Sequence, residues 1–169
     1  MVITVPSLTW CFQRVPYPDF KSKTITKLQS VDDIEKCVKE CSRASLPYCA
    51  GYAYGFKGKD TVETCYKVWS FLRRYFTYEE EEEELQSART VNRILYDPTG
   101  DCKHYSTFAY CTLKALGVDT NFRLCQYKNR DAPTHIYVVA RDPKGREIII
   151  DGTLSQFNEE TDSEYIFDV

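Results

Sequence analysis

The sequence predicts an α+β domain in which a helix that begins at a cysteine packs against an antiparallel β-sheet. Two observations carry this prediction. Residues 102–116 have a helical pattern, and residues 134–141 and 146–151 are rich in β-branched and aromatic side chains, as paired strands are. Both strands are apolar on both faces, as expected for the middle of a covered sheet. The chain has 169 residues, of which 43% are apolar and 28% charged, as expected for one globular domain.

Residues 1–59 are predicted to form a less regular part of the same globular unit. Prolines and aromatic residues over 1–29 indicate an irregular, partly extended segment that wraps the domain or meets a partner. A helix is expected to start at Ser30. The structure of residues 44–59 is ambiguous. Tyr52, Tyr54 and Phe56 alternate as in a strand, but a loop or a short helix also fits this segment.

A stronger helix opens the core region, residues 60–157. Asp60 is placed to cap this helix, Glu63 completes a capping box, and the pattern continues to about Tyr75. Its predicted core face consists of Val62, Cys65, Tyr66, Trp69 and Leu72. Residues 158–169 form an acidic tail, which either adds an edge strand or trails from the domain.

Charge and hydropathy exclude two classes of partner. The formal net charge is -3, and Glu79 to Glu84 is a run of six glutamates, so the other residues sum to +3 and neither value suggests nucleic-acid binding. The run is typical of a solvated segment, with a cation- or partner-binding role as the alternative. No apolar run reaches membrane length and residues 1–20 lack a signal-peptide core, so we expect a cytoplasmic protein without a membrane partner.

Eight cysteines are many for a chain of this size. Without an export signal most of them are expected to be reduced and buried. A zinc site is an alternative for Cys37, Cys41, Cys49 and Cys65, but their spacing lacks the paired two-residue gaps of known zinc modules. We therefore expect neither a metal nor a cofactor.

Residues 97–105 predict a tight turn that delivers a cysteine to the first turn of a helix. Pro98 and Gly100 supply turn residues, and Asp101 is a good N-cap. Gly117 stands where a glycine that ends the helix belongs.

Cys102 is the first residue of this predicted helix. Unpaired backbone N–H groups and the positive end of the helix dipole favour a thiolate there, which is how a nucleophile is prepared. The alternative is a buried structural cysteine that happens to start a helix. His104 is not a credible base for Cys102, because two residues along a helix it points to another side.

A β-hairpin is predicted around Asp142-Pro143-Lys144-Gly145. Pro in the second place and Gly in the fourth favour a type I turn followed by a left-handed glycine, which gives a three-residue loop. In that register His135 and Asp151 lie on one face as a diagonal pair within reach of a hydrogen bond. A two-residue loop would place them on opposite faces.

Three motifs in this order resemble those of the transglutaminase-like superfamily. The cysteine motif is Gly100-Asp101-Cys102-Lys103, followed by the helix end Ala115-Leu116-Gly117 and by Phe122-Arg123-Leu124. The histidine motif is His135 at the start of a strand, and the aspartate motif is Asp151 at the end of the next strand. Upstream, Trp69-Ser70-Phe71-Leu72 and Tyr75 to Tyr78 are similar to the elements that precede the superfamily's cysteine. The resemblance covers about residues 62–157. Small phage and prophage members are similar at Ile150-Asp151-Gly152-Thr153 and Phe157-Asn158-Glu159-Glu160.

The resemblance implies a papain-like fold with a catalytic triad. Cys102 would attack an acyl carbon, His135 would take and return the proton, and Asp151 would hold the imidazole. Each partner has a structural alternative, since Asp151 precedes a glycine at a strand exit and His135 could be a core histidine. The oxyanion would be bound by the Cys102 backbone N–H and by either Tyr78 or Gln86, between which the sequence does not choose.

The implied activity is cysteine-dependent acyl transfer, with residues 60–157 as the catalytic core. We expect hydrolysis of a peptide or isopeptide amide in a protein or peptide substrate, in the host cytoplasm or in a virion if the chain is phage-encoded. Transamidation is less expected, because nothing resembles the calcium sites or accessory β-domains of large animal transglutaminases. The other alternative is a non-enzymatic structural or assembly protein of a phage particle. The sequence indicates no oligomeric state.

Overall fold

The computed structural model describes residues 3–21, 31–81, 87–127, 135–160 and 162–169. Ser30, Glu82 to Glu84, Gln86 and residues 128–134 lie outside these ranges. Five α-helices lie within them: α1 (Leu8–Phe12), α2 (Val31–Ala53), α3 (Thr61–Tyr75), α4 (Val91–Tyr96) and α5 (Cys102–Ala115). Within the same ranges, no helix has the combination of length and apolar character needed to cross a membrane.

The strands form one sheet and one short pair. In chain order they are β1 (Thr77–Tyr78), β2 (Thr99–Gly100), β3 (Asp119–Tyr127), β4 (His135–Arg141), β5 (Glu147–Ile150) and β6 (Ser163–Asp168). β1 and β2 pair in parallel, and the other four form an antiparallel sheet in the order β5-β4-β3-β6. The predicted cysteine helix and its antiparallel strands are confirmed, with boundaries within two residues of those expected.

Both ends of α5 follow the predicted local rules. Asp101 is the N-cap and His104 completes a capping box with it. At the other end Gly117 has φ +74°, which a glycine adopts without the strain that a side chain would cause. These two signals fix where the helix starts and stops, and so place Cys102 at its first position.

The hairpin has the predicted three-residue loop. Gly145 has φ +77° and its N–H donates to Asp142 O at 2.8 Å, while Asp142 N–H donates to Arg146 O at 3.0 Å. Val138 lies opposite Ile150 as a result. The predicted register is confirmed, and it sets the face from which His135 and Asp151 project.

α5 lies between α2 and one face of the sheet. Its Phe108 stacks on Tyr52 of α2 at 5.7 Å and on Phe71 of α3 at 5.1 Å. The sheet face towards α5, the inner face, joins this core through Phe122, Leu124, Ile136, Val138, Ile148 and Ile150. The outer face carries a separate buried cluster of Cys125, Tyr137, Val139 and Ile149. Since side chains alternate along a strand, His135 shares the outer face with Tyr137.

Residues 44–59 are helical for most of their length. α2 continues through Pro47 to Ala53, and Tyr54–Phe56 forms a 3₁₀ turn. The strand alternative is wrong because Tyr52 and Phe56 are buried while Tyr54 is 58% exposed, so the alternation of aromatic residues does not describe one buried face.

The predicted core face of α3 is correct only in part. Cys65 and Leu72 are buried, but Val62 is 43% exposed. Trp69 is partly buried and packs against the core, whereas Tyr66 is not among the residues of the core cluster. Both rings also lie against Phe157, at distances of 5.3 Å for Tyr66 and 5.8 Å for Trp69. The buried stripe is rotated towards α5 and consists of Thr64, Cys65, Val68, Phe71 and Leu72.

Two predictions about the sheet edges have different outcomes. The predicted place of 146–151 in the middle of the sheet is wrong, because β5 is an edge strand. Its three isoleucines, Ile148 to Ile150, are still buried, and Ile149 N–H donates to Asn158 Oδ1 at 2.8 Å, so the following loop covers this edge. The C-terminal segment, for which two possibilities were open, forms the edge strand β6.

Candidate active site

His135 and Asp151 meet on the outer face of the sheet. His135 begins β4 and Asp151 directly follows β5, and the hairpin register brings their side chains together. Nε2 of His135 lies 2.6 Å from Oδ2 of Asp151. The two residues are only 5% and 4% exposed, so this is a desolvated charge-assisted hydrogen bond.

The second oxygen of Asp151 is held by Thr153. Oδ1 accepts hydrogen bonds from the backbone N–H of Thr153 at 2.9 Å and from its hydroxyl at 2.7 Å. An Asp-Gly-Thr sequence favours this kind of Asx turn, so Thr153 could have been found from the sequence. One carboxylate oxygen is therefore fixed by the turn, and the other is left for His135.

The backbone of the turn is held by α3. Nε1 of Trp69 donates to the carbonyl oxygen of Asp151 at 3.1 Å, and Arg73 donates to the carbonyl oxygens of Gly152 and Thr153 at 3.3 Å each. The sequence predicts Trp69 only as a core residue. Trp69 and Asp151 are 82 residues apart in the chain, so no local sequence pattern reveals the hydrogen bond between them.

Gly152 allows the turn to approach α3 and α5 closely. A Cβ at this position would lie 2.7 Å from a ring carbon of Tyr105 and 2.8 Å from a methyl carbon of Leu72. Any larger residue would push the turn away from the helices, and Asp151 would move with it.

Cys102 stands at the N-terminus of α5, where its thiol reaches His135. It is one of two cysteines that are not buried; the other is Cys41. The first backbone bonds of the helix are donated by His104 and Tyr105 to Asp101 O, so the Cys102 N–H lies ahead of them. That N–H is placed to bind an oxyanion at the attacked carbon.

The three side chains are electrostatically coupled. Burial alone would lower the pKa of His135, but hydrogen bonds with Asp151 and Cys102 outweigh it and raise the pKa from 6.5 to about 10. Burial opposes ionisation of Asp151, yet its hydrogen bonds to His135 and Thr153 lower its pKa. Because Asp151 occupies Nε2, Nδ1 of the imidazole is left for the thiol of Cys102.

His104 belongs to the helix cap. Its Nδ1 lies 3.2 Å from the backbone N of Asp101 and 3.0 Å from Oδ1 of the same residue. Gly100 packs beneath this ring, since a Cβ there would lie 2.6 Å from Nδ1. The glycine and aspartate before Cys102 therefore form a structural unit with His104 that presents the cysteine.

The structure describes one of the two oxyanion candidates. Tyr78 in β1 pairs with Gly100 in β2, and Glu79 N–H donates to Gly100 O at 3.0 Å, so Tyr78 lies beside the turn that carries Cys102. Burial and the nearby charges of Cys102 and Asp101 raise the pKa of Tyr78, which keeps its hydroxyl a donor. Gln86 lies outside the described residues.

Neither a family model nor a curated protein matches the chain. Solved structures match it. LapG from Legionella pneumophila in an EGTA-treated form has a TM-score of 0.55 and 21% identity, covering 85% of this chain and 82% of LapG. A second LapG structure has a TM-score of 0.53 and 22% identity, with coverages of 78% and 77%. A candidate protease from Parabacteroides distasonis has a TM-score of 0.57 and 13% identity over 73% of this chain.

The chain has the papain-like, transglutaminase-like fold. It spans a quarter of the length of the Parabacteroides distasonis protein, with 25% of that chain covered, and most of the length of LapG. The predicted fold class is thus confirmed. At these identities the likeness concerns the fold alone, and the chemistry is argued from the residues of this chain.

One group of described side chains in this transglutaminase-like fold could offer metal ligands. Glu81, Asp101 and His104 each provide a ligand atom within 4.8 Å of the others. The ammonium group of Lys103 contacts the Asp101 carboxylate and lies 3.5 Å from Oε2 of Glu81, so a cation already neutralises both carboxylates. Among the described residues, the cysteines considered for a zinc site do not come together as such a group.

The charged imidazole of His135 should stabilise the fold only at lower pH. Its pKa rises from 6.5 to about 10, so the folded protein keeps a proton that the unfolded chain loses above pH 6.5. That stabilisation is complete below pH 6.5 and is lost as the pH rises through the folded pKa. We expect the melting temperature of the unaltered protein, in which Asp151 and Cys102 both raise this pKa, to exceed that of His135→Ala most at pH 6. A difference that widens towards pH 10 would contradict this assignment.

Proposed function

We propose that this chain is a cysteine-dependent acyl-transfer enzyme that hydrolyses a peptide or isopeptide amide. The observation that carries the proposal is the 2.6 Å hydrogen bond between Asp151 and the buried imidazole of His135, which also hydrogen-bonds with Cys102. If His135 and Asp151 were only structural residues, nothing would require a partly exposed cysteine beside the same imidazole ring. The arrangement of the three groups supports the proposed roles of Cys102 as nucleophile, His135 as base and Asp151 as orienting carboxylate.

In the first half-reaction Cys102 is acylated. The thiol proton passes to Nδ1 of His135, and Sγ forms a bond to the carbonyl carbon of the amide. Negative charge develops on the carbonyl oxygen, where the Cys102 N–H and the Tyr78 hydroxyl are the proposed donors. The imidazolium then gives its proton to the amide nitrogen, the C–N bond breaks, and an amine leaves a thioester on Cys102.

In the second half-reaction water releases the acyl group. His135 takes a proton from water as its oxygen attacks the thioester carbon, and the C–S bond breaks to return the thiol and a carboxylic acid. Asp151 keeps a negative charge throughout and stabilises the imidazolium that forms twice in the cycle. If an amine replaces water in this step, the product is a new amide and the reaction is transamidation.

The support for an enzyme comes from the combination of residues and fold. All three residue types of the triad are present and converge, which a purely structural phage protein would not require. The matching structure from Parabacteroides distasonis is described as that of a candidate protease. We extend the same type of chemistry to this chain on the strength of its own site, with a protein or peptide as the substrate.

The proposal is tested with 4-nitrophenyl acetate, an activated ester that acylates reactive thiols. We expect intact-mass spectrometry and peptide mapping to find one acetyl group on Cys102, and none there in His135→Ala. Adding hydroxylamine separates the outcomes, since a hydrolase releases acetate in its absence whereas a transamidase releases acetyl groups only to the amine. The Cys41→Ala variant is the matched control, because Cys41 is the other cysteine that is not buried.

An amide substrate is then sought with a peptide library whose amino groups are blocked. A hydrolase creates new N-termini at a defined sequence, and Cys102→Ala creates none. Acetylation that is spread over several residues, or equal in the protein and in His135→Ala, would favour the non-enzymatic alternative.

A further inference from the structure

We propose that Tyr127 is a positioning residue whose ring stacks on the imidazole of His135 and holds it in line with both Cys102 and Asp151. This inference rests on the proposed function, because it assigns a residue to the same site. The Tyr127 and His135 ring centroids are 5.6 Å apart, and their planes are within 24° of parallel. Tyr127 is the last residue of β3 and is partly buried.

The sheet register explains why Tyr127 reaches this ring. Cys125 lies directly opposite His135, where the β3–β4 pairing ends. Tyr127 follows two residues later, past an irregularity in the β3–β6 pairing between Gln126 and Tyr127, and its ring stacks on the imidazole. On β4, Tyr137 is two residues beyond His135, and its ring lies 5.7 Å away with the planes within 31°. Because β3 and β4 are antiparallel, the two tyrosines approach His135 from opposite ends.

Tyr137 provides the fixed side of this arrangement. It is 1% exposed, and its hydroxyl donates to Oε1 of Glu160 at 2.7 Å. Arg123 donates to the same oxygen at 2.9 Å. Tyr137 is thereby tied to the sheet and its C-terminal strand, whereas Tyr127 closes the site at the end of β3.

Hydrogen bonds alone do not fix the imidazole. Bonds at Nε2 and Nδ1 define the line through the two nitrogens, but they leave the ring free to tilt about that line. A ring stacked on its face removes this freedom and also attracts the imidazolium charge. Among the described residues, the groups that face His135 are Asp151, Cys102, Cys125, Tyr127 and Tyr137, with Glu160 and Arg123 behind Tyr137.

The test compares Tyr127→Leu with Tyr127→Phe. The chain has two histidines, so ¹³C-labelled histidine gives separate NMR signals for His135 and His104, and the His104 signal is an internal control in the same tube. We expect Tyr127→Leu to lower the pKa of His135 by roughly one unit, the size of a partly desolvated cation–π contact. We also expect this variant to slow acetylation of Cys102 several-fold, with the chemical shifts of His104 the same as in the unaltered protein.

Tyr127→Phe, which keeps the ring, should restore both the titration and the rate. If Tyr127→Leu does not fold, Tyr127→Met serves as the second variant without a ring. A Tyr127→Leu protein with the original titration and rate would overturn the proposal. Equal losses in the Phe and Leu variants would overturn it too, because they would assign the effect to the hydroxyl. The two proposals can fail separately. An unreactive Cys102 in the unaltered protein would contradict the proposed function, whereas the His135 titration tests the role of Tyr127 without requiring any activity.

Discussion

Replacing Asp151 with asparagine should slow acylation of Cys102 by roughly four orders of magnitude while the protein stays folded. The structure gives a specific reason. Both donors of Thr153, its N–H at 2.9 Å and its hydroxyl at 2.7 Å, point at Oδ1, so the single oxygen of an asparagine must take that place. Its NH₂ group then faces Nε2 of His135. Nε2 must accept that hydrogen bond, and the ring proton moves to Nδ1, where it blocks transfer from the thiol.

The measurement is the rate of acetyl transfer from 4-nitrophenyl acetate, alongside the melting temperature. Asp142→Asn is the matched control, because Asp142 is a buried aspartate in the same hairpin that bonds only to turn residues and Arg146. We expect this control to melt lower and to keep its acylation rate. If Asp151→Asn acylates at the original rate and loses only about 1 kcal/mol of stability, Asp151 is a strand-exit residue and the triad claim is wrong.

The parts of the fold that the sequence predicts well depend on short-range rules. An N-cap at Asp101 and a left-handed Gly117 delimit the cysteine helix whatever packs against it. The turn at Asp142 to Gly145 sets the hairpin register, and the register alone decides that His135 and Asp151 share a face. The four residues of this turn therefore suffice to predict that His135 and Asp151 lie within reach of each other.

The parts that the sequence predicts poorly depend on packing between distant elements. The buried face of α3 is set by α5 and by Phe157, so Val62 is exposed although it fits the helical pattern. The strand β5 is apolar on both sides and yet lies at an edge, because the loop that reaches Asn158 covers it. Neither the exposure of Val62 nor the edge position of β5 can be recognised from the neighbouring residues in the sequence.

The same distinction applies to the candidate site. The Asx turn at Thr153 is local and could have been predicted. The indole of Trp69 on the Asp151 carbonyl and the ring of Tyr127 on His135 are long-range contacts, which only the assembled fold reveals. Tyr78 was one of two oxyanion candidates, and its place beside Gly100 supports it as the proposed donor.

The most direct measurement of the central claim, that Cys102 is a nucleophile activated by His135, is the rate at which iodoacetamide alkylates each cysteine at pH 6. An ordinary thiol with a pKa of about 8.5 is mostly protonated at that pH, whereas a thiol paired with an imidazolium is largely thiolate. Cys41 is the internal reference, because it is partly exposed like Cys102, while the partial burial of its thiol raises its pKa to about 11.

We expect peptide mapping to find Cys102 alkylated first among the eight cysteines. His135→Ala should slow its labelling by roughly ten- to a hundred-fold and leave Cys41 unchanged. A Cys102 that labels no faster than Cys41, or whose rate is the same with and without His135, would contradict the claim that these residues form a catalytic site.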